Sequence, residues 1–189
     1  SKKIAKVAKK YGAEVPFLRK KNYARDKSTT EDTLQNALQE FEKFKSIKYD
    51  ICVYMTATDI FRNIIDIKKA VNYLVKDTNL DSCFTVKSTH KNYWHYDSNK
   101  KLKRILPSMK FYSSRQEKIP IYREDTGIIC ASRAKLWRKG KRIGSNVQIL
   151  LNNKNPIDID IHNEYDLYLV RKAFAYFKKY NPKLLPKII

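Results

Sequence analysis

Short apolar runs of strand length alternate with amphipathic helical segments along this chain, and this alternation restricts the possible folds more than any other feature. The runs at 49–57, 81–87 and 126–132 are typical of strands buried inside a sheet. Stripes of apolar residues at helical spacing occupy 4–11, 34–44, 64–75 and 167–177. Because segments of helical length connect the strands, we predict an α/β fold with three layers and a mixed, mostly parallel sheet.

The pattern breaks between Ser88 and about Tyr122, where the sequence is irregular and basic apart from a hairpin predicted around Ser98-Asn99. No Gly/Ser-rich linker divides the chain. We therefore assign 1–87 to the first part of an α/β core, 88–122 to a small insertion, and 123–189 to the remainder of the core. The chain opens with a helix, and it contains neither a GxGxxG nor a GxxxxGK[ST] phosphate loop.

Composition excludes several classes of protein. Hydrophobic residues make up 42% of the 189 residues, which is enough for a core, so wholesale disorder is excluded. No apolar run is long enough for a membrane span, and the first residues lack the apolar region of a signal peptide. Cys52, Cys83 and Cys130 are widely spaced in apolar runs, which argues against a disulfide framework or a zinc site and favours a reducing cytoplasm.

The net charge of +21 leaves two interpretations open. A basic chain is a candidate nucleic-acid binder, but specific readers of nucleic acid favour clustered arginines beside aromatic residues. Here the lysines are spread along the whole sequence, which favours a solvated, lysine-rich surface. Either way, the charge attracts anionic small molecules such as nucleotides.

Asp158-Ile159-Asp160 is the strongest chemical signal. Alternate residues of an extended segment point to the same side, so the two carboxylates lie close together and repel one another unless a hard divalent cation such as Mg²⁺ binds between them. The alternative is a solvated acidic turn before the last helix, with Asn163 as the N-cap of that helix.

Two polar loops are further candidates. Arg19 and the loop that follows it, RKKNYARDKSTT, suit phosphates or a ribose, although Thr29 or Thr30 also serves as the N-cap of the next helix. The segment TATDIFR, residues 56–62, lies where a buried strand ends, which is where ligands bind in open α/β sheets. Its threonines are equally well explained as a helix cap.

The fourth candidate is Arg115-Gln116, followed by Pro120, Tyr122 and Gly127, since arginine binds a carboxylate through two hydrogen bonds. No Gx[SC]xG nucleophile elbow is present in the sequence. An enzyme built on these residues would therefore rely on a metal and on positioning rather than on a covalent intermediate.

Taken in order, these segments resemble the acylneuraminate cytidylyltransferase family, the CMP-sialic and CMP-nonulosonic acid synthetases, and more distantly the CMP-Kdo synthetases. The resemblance runs from residue 1 to about residue 178. The segments that carry it are AKVAKKYGAEVPFLRKKNYARDKSTT, VYMTATDIFR (similar to the family's LQPTSPLR), DSCFTVK, RQEKIPIYREDTG and PIDIDIHNEYDL.

The resemblance implies a three-layer nucleotidyltransferase fold, Rossmann-like and GT-A-like, and a cytoplasmic enzyme of surface-glycan biosynthesis. It would transfer CMP from CTP to a 2-keto nonulosonic sugar acid and release pyrophosphate. The residue roles that it implies are Mg²⁺ binding and catalysis for Asp158 and Asp160, nucleotide contacts for Arg19, Asp26, Thr29 and Thr30, and sugar-acid contacts for Thr56, Thr58, Arg62, Arg115, Gln116 and Tyr122. Residues 88–122 would form an arm exchanged between the subunits of a homodimer.

Two departures from the family pattern affect this interpretation. The family's N-terminal signature, of the type PARxGSKxxxxKN, is absent together with the strand that follows it, a segment of about 45 to 60 residues or one and a half βα units. We therefore expect the sequence to be truncated and inactive by itself. Thr56 stands where the family has Gln, which indicates a substrate other than ordinary sialic acid. A shortened, non-catalytic binding or assembly paralogue is the alternative, and a basic nucleic-acid binder is a weaker one.

Overall fold

The fold is known from a computed structural model that describes residues 1–24, 28–112, 114, 116–152 and 159–185. The helices are α1 (Lys2–Lys10), α2 (Thr30–Lys45), α3 (Ile64–Lys76), α4 (Ala134–Arg138) and α5 (Glu164–Tyr180). The strands are β1 (Ile51–Tyr54), β2 (Ser82–Thr89), β3 (Trp94–Tyr96), β4 (Leu102–Arg104), β5 (Ile121–Glu124), β6 (Cys130–Arg133) and β7 (Val147–Leu151). The predicted helices and buried strands are thus confirmed.

The main sheet is mixed, but the prediction that it is mostly parallel is wrong. In the described part of the chain it has five strands, and β6 lies between β1 and β2 and is antiparallel to both. β5 is also antiparallel to β2, so β7 forms the one parallel ladder with β2 among the described residues. The reason for the error is that a central strand is apolar on both faces in either orientation, so the apolar run does not reveal its direction.

Helices cover both faces of the sheet. Alternate residues of β1 point to opposite faces, and Ile51 and Val53 pack with Ala70 and Leu74 of α3. Cys52 and Tyr54 pack on the other face against Leu38 of α2 and Ala134, Leu136 and Trp137 around α4. The α/β class is therefore confirmed. β1, β2 and β7 run in the same direction, although the antiparallel β6 lies between β1 and β2.

A wide bulge joins β5 to β6, and sequence reasoning missed it together with β5. Phe84 pairs with Cys130 and Val86 with Glu124, so two steps along β2 are matched by six steps along the other segment. Thr85 of β2 closes the bulge: its amide donates to Ile129 O at 3.0 Å, and its hydroxyl donates to Asp125 O at 2.6 Å. Residues 125–129, here called the 125–129 bulge, therefore project from the sheet beside the end of β1.

The predicted hairpin is present as a separate two-stranded sheet in which Trp94 pairs with Arg104. The Arg104 guanidinium lies 4.2 Å from the ring centre of Trp94, and its Nη2 donates to the Tyr112 hydroxyl at 2.9 Å. Across the described residues, none of the helices combines the length and the apolar character that crossing a bilayer requires.

Candidate functional site

The candidate site lies at the carboxyl ends of β1, β2 and β7, which share one edge because these strands run in the same direction. The loop that follows β1, residues 55–63, is held at this edge by the 125–129 bulge. Thr56 N donates to Gly127 O at 2.8 Å. The Thr56 hydroxyl lies 2.8 Å from Asp59 Oδ2 and 3.2 Å from Gly127 O, so its single proton is shared between these acceptors.

Arg62 stabilises the 55–63 loop through hydrogen bonds to backbone carbonyl oxygens. Its Nη2 donates to the carbonyl oxygens of Thr56 and Asp59, and it lies 3.4 Å from Gly127 O. Partial burial lowers the pKa of the Arg62 guanidinium, and the nearby Asp59 carboxylate opposes that change. An arginine that contacts three backbone carbonyl oxygens fixes the conformation of the 55–63 loop and cross-links this loop to the 125–129 bulge.

Asp160 lies beside the same loop, because Ile161 N donates to Thr58 O at 3.4 Å. Its Oδ2 is 3.2 Å from His162 Nε2. Its Oδ1 is buried and has no hydrogen-bond partner in the part of the chain that the structure describes. Burying a carboxylate oxygen without a hydrogen-bond donor costs free energy unless a cation or a ligand binds that oxygen. Mg²⁺ prefers oxygen ligands.

The rest of the predicted metal motif is only partly visible. Asp158 lies outside the described residues. Among the described residues, no group of three or more His, Cys, Asp or Glu side chains could hold a metal ion. Asp160 therefore fits one ligand of a cation site that needs further oxygen donors, such as a second carboxylate, a phosphate or water.

The start of α5 anchors Asp160 from the other side. Asn163 is the N-cap of α5, its side chain accepts from Asp166 N at 3.0 Å, and Asp166 Oδ2 accepts from Asn163 N at 3.2 Å. The same Asp166 oxygen accepts from His162 N at 2.9 Å. This capping box fixes the backbone directly after Asp160, and it confirms the predicted Asn163 cap.

Of the predicted nucleotide residues, Thr29 and Thr30 lie at the start of α2, whereas Lys20, next to Arg19, pairs with Glu40 farther along that helix. Thr29 forms a capping box with Asp32, its hydroxyl accepting from Asp32 N at 3.0 Å, and Thr30 is the first helical residue. Arg19 Nη1 donates to Tyr23 O at 3.3 Å, and Asp26 lies outside the described residues. The predicted cap is therefore confirmed, and it uses the Thr29 hydroxyl.

Arg142 links the start of α2 to the edge where the site lies. Its guanidinium lies 4.9 Å from the ring centre of Tyr54, the last residue of β1, and its Nε is 3.6 Å from a carboxylate oxygen of Glu31 on α2. The N-terminus of α2 therefore lies near the carboxyl end of β1, with its first backbone N–H groups at the same edge as the 55–63 loop.

Of the predicted sugar-acid residues outside the 55–63 loop, Gln116 precedes β5 and Tyr122 belongs to it. Tyr122 pairs with Ser88 in the β2–β5 ladder and is half exposed, and Gln116 is exposed in a turn. Arg115 lies outside the described residues. A cavity of about 150 Å³ lies beside this segment, and it is lined by residues that include Thr89, Lys118 and Ile121.

The sequence analysis assigned Gly127 to the Arg115-Gln116 segment, whereas the structure places its carbonyl against Thr56 and Arg62. It gave Asp59 no role of its own, although this carboxylate accepts from the Thr56 hydroxyl. A glycine before a buried strand is a usable signal of close backbone approach, but the partner of such a glycine is not encoded nearby in the sequence.

No family model matches the chain, but a comparison with known proteins finds relatives. Post-translational flagellin modification protein B of Campylobacter coli is 24% identical over 170 residues, which cover 90% of this chain and 72% of that protein. The pseudaminic acid cytidylyltransferases of two strains of Campylobacter jejuni subsp. jejuni are each 28% identical over 141 residues. Those matches cover 71% of this chain and 57% of each relative, so the chain spans just over half the length of these two proteins.

Proposed function

We propose that this chain, a relative of the pseudaminic acid cytidylyltransferases and so of the CMP-nonulosonic acid synthetases, carries core parts of an enzyme that transfers CMP from CTP to a nonulosonic sugar acid. The observation that carries the proposal is Asp160. One carboxylate of the Asp158-Ile159-Asp160 motif lies against the loop after β1, with a buried oxygen that has no donor among the described residues. The relatives' names supply the reaction class that such a site would serve.

Asp158 and Asp160 are proposed to hold Mg²⁺, which when bound would neutralise charge on the CTP phosphates and lower the pKa of the attacking sugar hydroxyl. The chain itself contributes a fixed position for Asp160, set by the α5 capping box and by the hydrogen bond from Ile161 to Thr58. A carboxylate fixed in this way loses little freedom when it binds a cation.

The nucleotide is proposed to bind at the start of α2, with Arg19, Asp26, Thr29 and Thr30. Because the Thr29 hydroxyl already caps the helix, its proposed contribution is to fix the helix start. The Thr30 hydroxyl and the first backbone N–H groups of α2 are the groups proposed to bind the anionic phosphates. The net charge of +21 favours the approach of a triphosphate.

The sugar acid is proposed to contact Thr56, Thr58, Arg115, Gln116 and Tyr122. For Arg62, the hydrogen bonds to carbonyl oxygens support a contribution through the shape of the 55–63 loop. Arg115 is the proposed partner of the sugar carboxylate, since a guanidinium binds a carboxylate through two hydrogen bonds.

The 88–122 insertion is proposed to be the arm of a homodimer in the cytoplasm. Large apolar side chains are exposed there, among them Tyr96, Phe111, Tyr112 and Ile119. Exposed apolar side chains that cluster in one segment are typical of an interaction surface. Light scattering coupled to gel filtration would give the mass of a dimer, whereas a monomer at all concentrations would contradict the arm.

Magnesium-dependent CTP binding tests the proposed reaction. We expect the 189-residue chain to bind CTP in calorimetry when Mg²⁺ is present, and Asp158→Asn/Asp160→Asn to weaken binding by at least about ten-fold. Asp50→Asn is the matched control, because it removes the same kind of charge at the opposite, amino end of β1. We expect it to bind CTP as the parent does.

Two outcomes would contradict the proposal. If the parent and the double variant bind CTP equally, the carboxylates have no part in nucleotide binding. If the parent binds no CTP with any divalent cation, the chain lacks a nucleotide site. A separate assay, on the chain extended by the family's N-terminal signature segment, would distinguish an enzyme, which releases pyrophosphate from CTP when pseudaminic acid is added, from a non-catalytic binding paralogue.

A further inference from the structure

Gly127 and the three residues that surround it form a compact cluster at the carboxyl end of β1. Thr56, Asp59, Arg62 and Gly127 are linked by hydrogen bonds, and we call them the Gly127 cluster. The Gly127 carbonyl oxygen accepts from Thr56 N at 2.8 Å and lies 3.4 Å from Arg62 Nη2. The Thr56 hydroxyl also reaches Asp59 Oδ2 at 2.8 Å.

The absence of a side chain at Gly127 is what permits this arrangement. A Cβ at this position would lie 2.2 Å from Asp59 Oδ2 and 2.9 Å from Thr56 Oγ1. Both of those atoms are the ends of side chains rather than backbone, so a methyl group would displace the carboxylate and the hydroxyl without forcing the sheet apart. A substitution to alanine therefore opens the cluster selectively.

The cluster is connected to the Asp160 segment through the 55–63 loop. Thr58, between the cluster residues Thr56 and Asp59, accepts from Ile161 N at 3.4 Å. Phe61, next to Arg62, packs edge-on against Phe177 of α5 with 6.5 Å between ring centres. A shift of the loop is therefore transmitted to the backbone that follows Asp160, at Ile161 and in α5.

From this geometry we infer that the Gly127 cluster is a positioning device that holds Asp160 at the candidate site, with Gly127 itself required for close approach. No residue of the cluster needs to touch a cation for this role. The inference rests on the proposed function in so far as Asp160 is a metal ligand, whereas the positioning of the segment is a property of the fold. Residues that orient a ligand in this way are worth about 10- to 100-fold in metal affinity.

Gly127→Ala tests the inference through hydrogen exchange, which needs neither metal nor substrate. We expect the amides of 159–163 to exchange up to about ten-fold faster in this variant, because the bond from Ile161 to Thr58 is weakened. The matched control is Gly144→Ala, whose Cβ would lie 2.4 Å from Asp81 Cβ near the amino end of β2. That control should lower stability without changing exchange in 159–163.

Mn²⁺ binding, followed by the loss of its electron paramagnetic resonance signal, is the second measurement. We expect the Mn²⁺ dissociation constant to rise about ten-fold in Gly127→Ala and to stay unchanged in Gly144→Ala. Unchanged exchange in 159–163 of Gly127→Ala would overturn the inference, as would equal effects of the two alanines. Faster exchange in Gly127→Ala, together with a parent protein that binds no Mn²⁺, would uphold the positioning role and refute the proposed metal site.

Discussion

Glu42 is a buried residue of α2 whose carboxylate has several polar partners, and its replacement has a calculable effect on stability. Its side chain is 3% exposed, and its Oε1 accepts from Arg138 Nη2 at 2.5 Å and from Tyr49 N at 3.1 Å. Lys48 Nζ lies 3.0 Å from Oε2. The hydrogen bond from Arg138, opposed by burial, lowers the pKa of Glu42 from 4.5 to about 2.

The lowered pKa means that the ionised form stabilises the fold by about 3 kcal/mol, since each pH unit of difference corresponds to about 1.36 kcal/mol. The folded pKa lies below the unfolded one, so this stability is fully present above pH 4.5 and is lost as the pH falls towards about 2. Glu42→Gln removes the charge and leaves Arg138 partly buried without a counter-ion. We expect the variant to lose about 3 kcal/mol of unfolding free energy at pH 7.

Urea unfolding at pH 7 and at pH 3, followed by the fluorescence of the buried Trp137, measures this loss. We expect the difference between Glu42→Gln and the parent to shrink at pH 3, because the parent has by then lost part of the same contribution. Glu40→Gln is the control on the same helix, where the carboxylate pairs with an exposed Lys20, and it should behave as the parent does. A Glu42→Gln protein as stable as the parent at pH 7, or a difference that does not depend on pH, would refute the reasoning.

Three further predictions concern thiols, capping and packing. Cys83 and Cys130 are buried, and burial raises the pKa of Cys83 to about 12, so Ellman's reagent at pH 8 should label these two thiols only after unfolding; their rapid labelling in the native protein would contradict this. Cys52 is partly buried, which raises its pKa to about 11, and it should react slowly in the native protein. Thr29→Ala removes the hydroxyl that caps α2, and thermal unfolding should show a loss of about 1 kcal/mol, whereas Thr29→Ser should retain the stability. Leu74→Ala leaves a cavity in the fully buried core beside α3, and urea unfolding should show a loss of about 2 to 5 kcal/mol; a loss below 1 kcal/mol would indicate that the core collapses around the site.

Local sequence patterns predicted the elements of this fold because each pattern has a local physical cause. The helical stripe ending before Lys45 and the Thr29 cap are properties of α2 alone, and both are confirmed. Similarly, the apolar runs of β1 and β2 follow from burial of both faces. The matches with named relatives confirm the resemblance that the motifs of the sequence predicted.

Strand order and direction were not predictable in this way, since they depend on which distant segments pair. β5 escaped notice because Ile121–Glu124 is short and mostly exposed, with none of the apolar signal of β2. The predicted site was recovered in part: Thr56, Thr58, Arg62 and Asp160 come together at one edge. Their cross-link runs through Gly127, about 70 residues away from Thr56 in sequence, and nothing local to either residue specifies that contact.

β6, whose antiparallel direction makes the sheet less parallel than predicted, also positions residues of the candidate site. Because β6 lies between β1 and β2 and runs against them, the segment entering β6 arrives at the carboxyl ends of both neighbours. A strand parallel to β1 and β2 would instead begin at their amino ends, and its preceding loop would lie on the far side of the molecule. The antiparallel direction therefore brings the 125–129 bulge to the edge where Thr56 follows β1, and Thr85 fixes that bulge from β2. The position of Gly127, and through it that of Asp160, is thus a consequence of sheet topology rather than of any motif in the 55–63 loop.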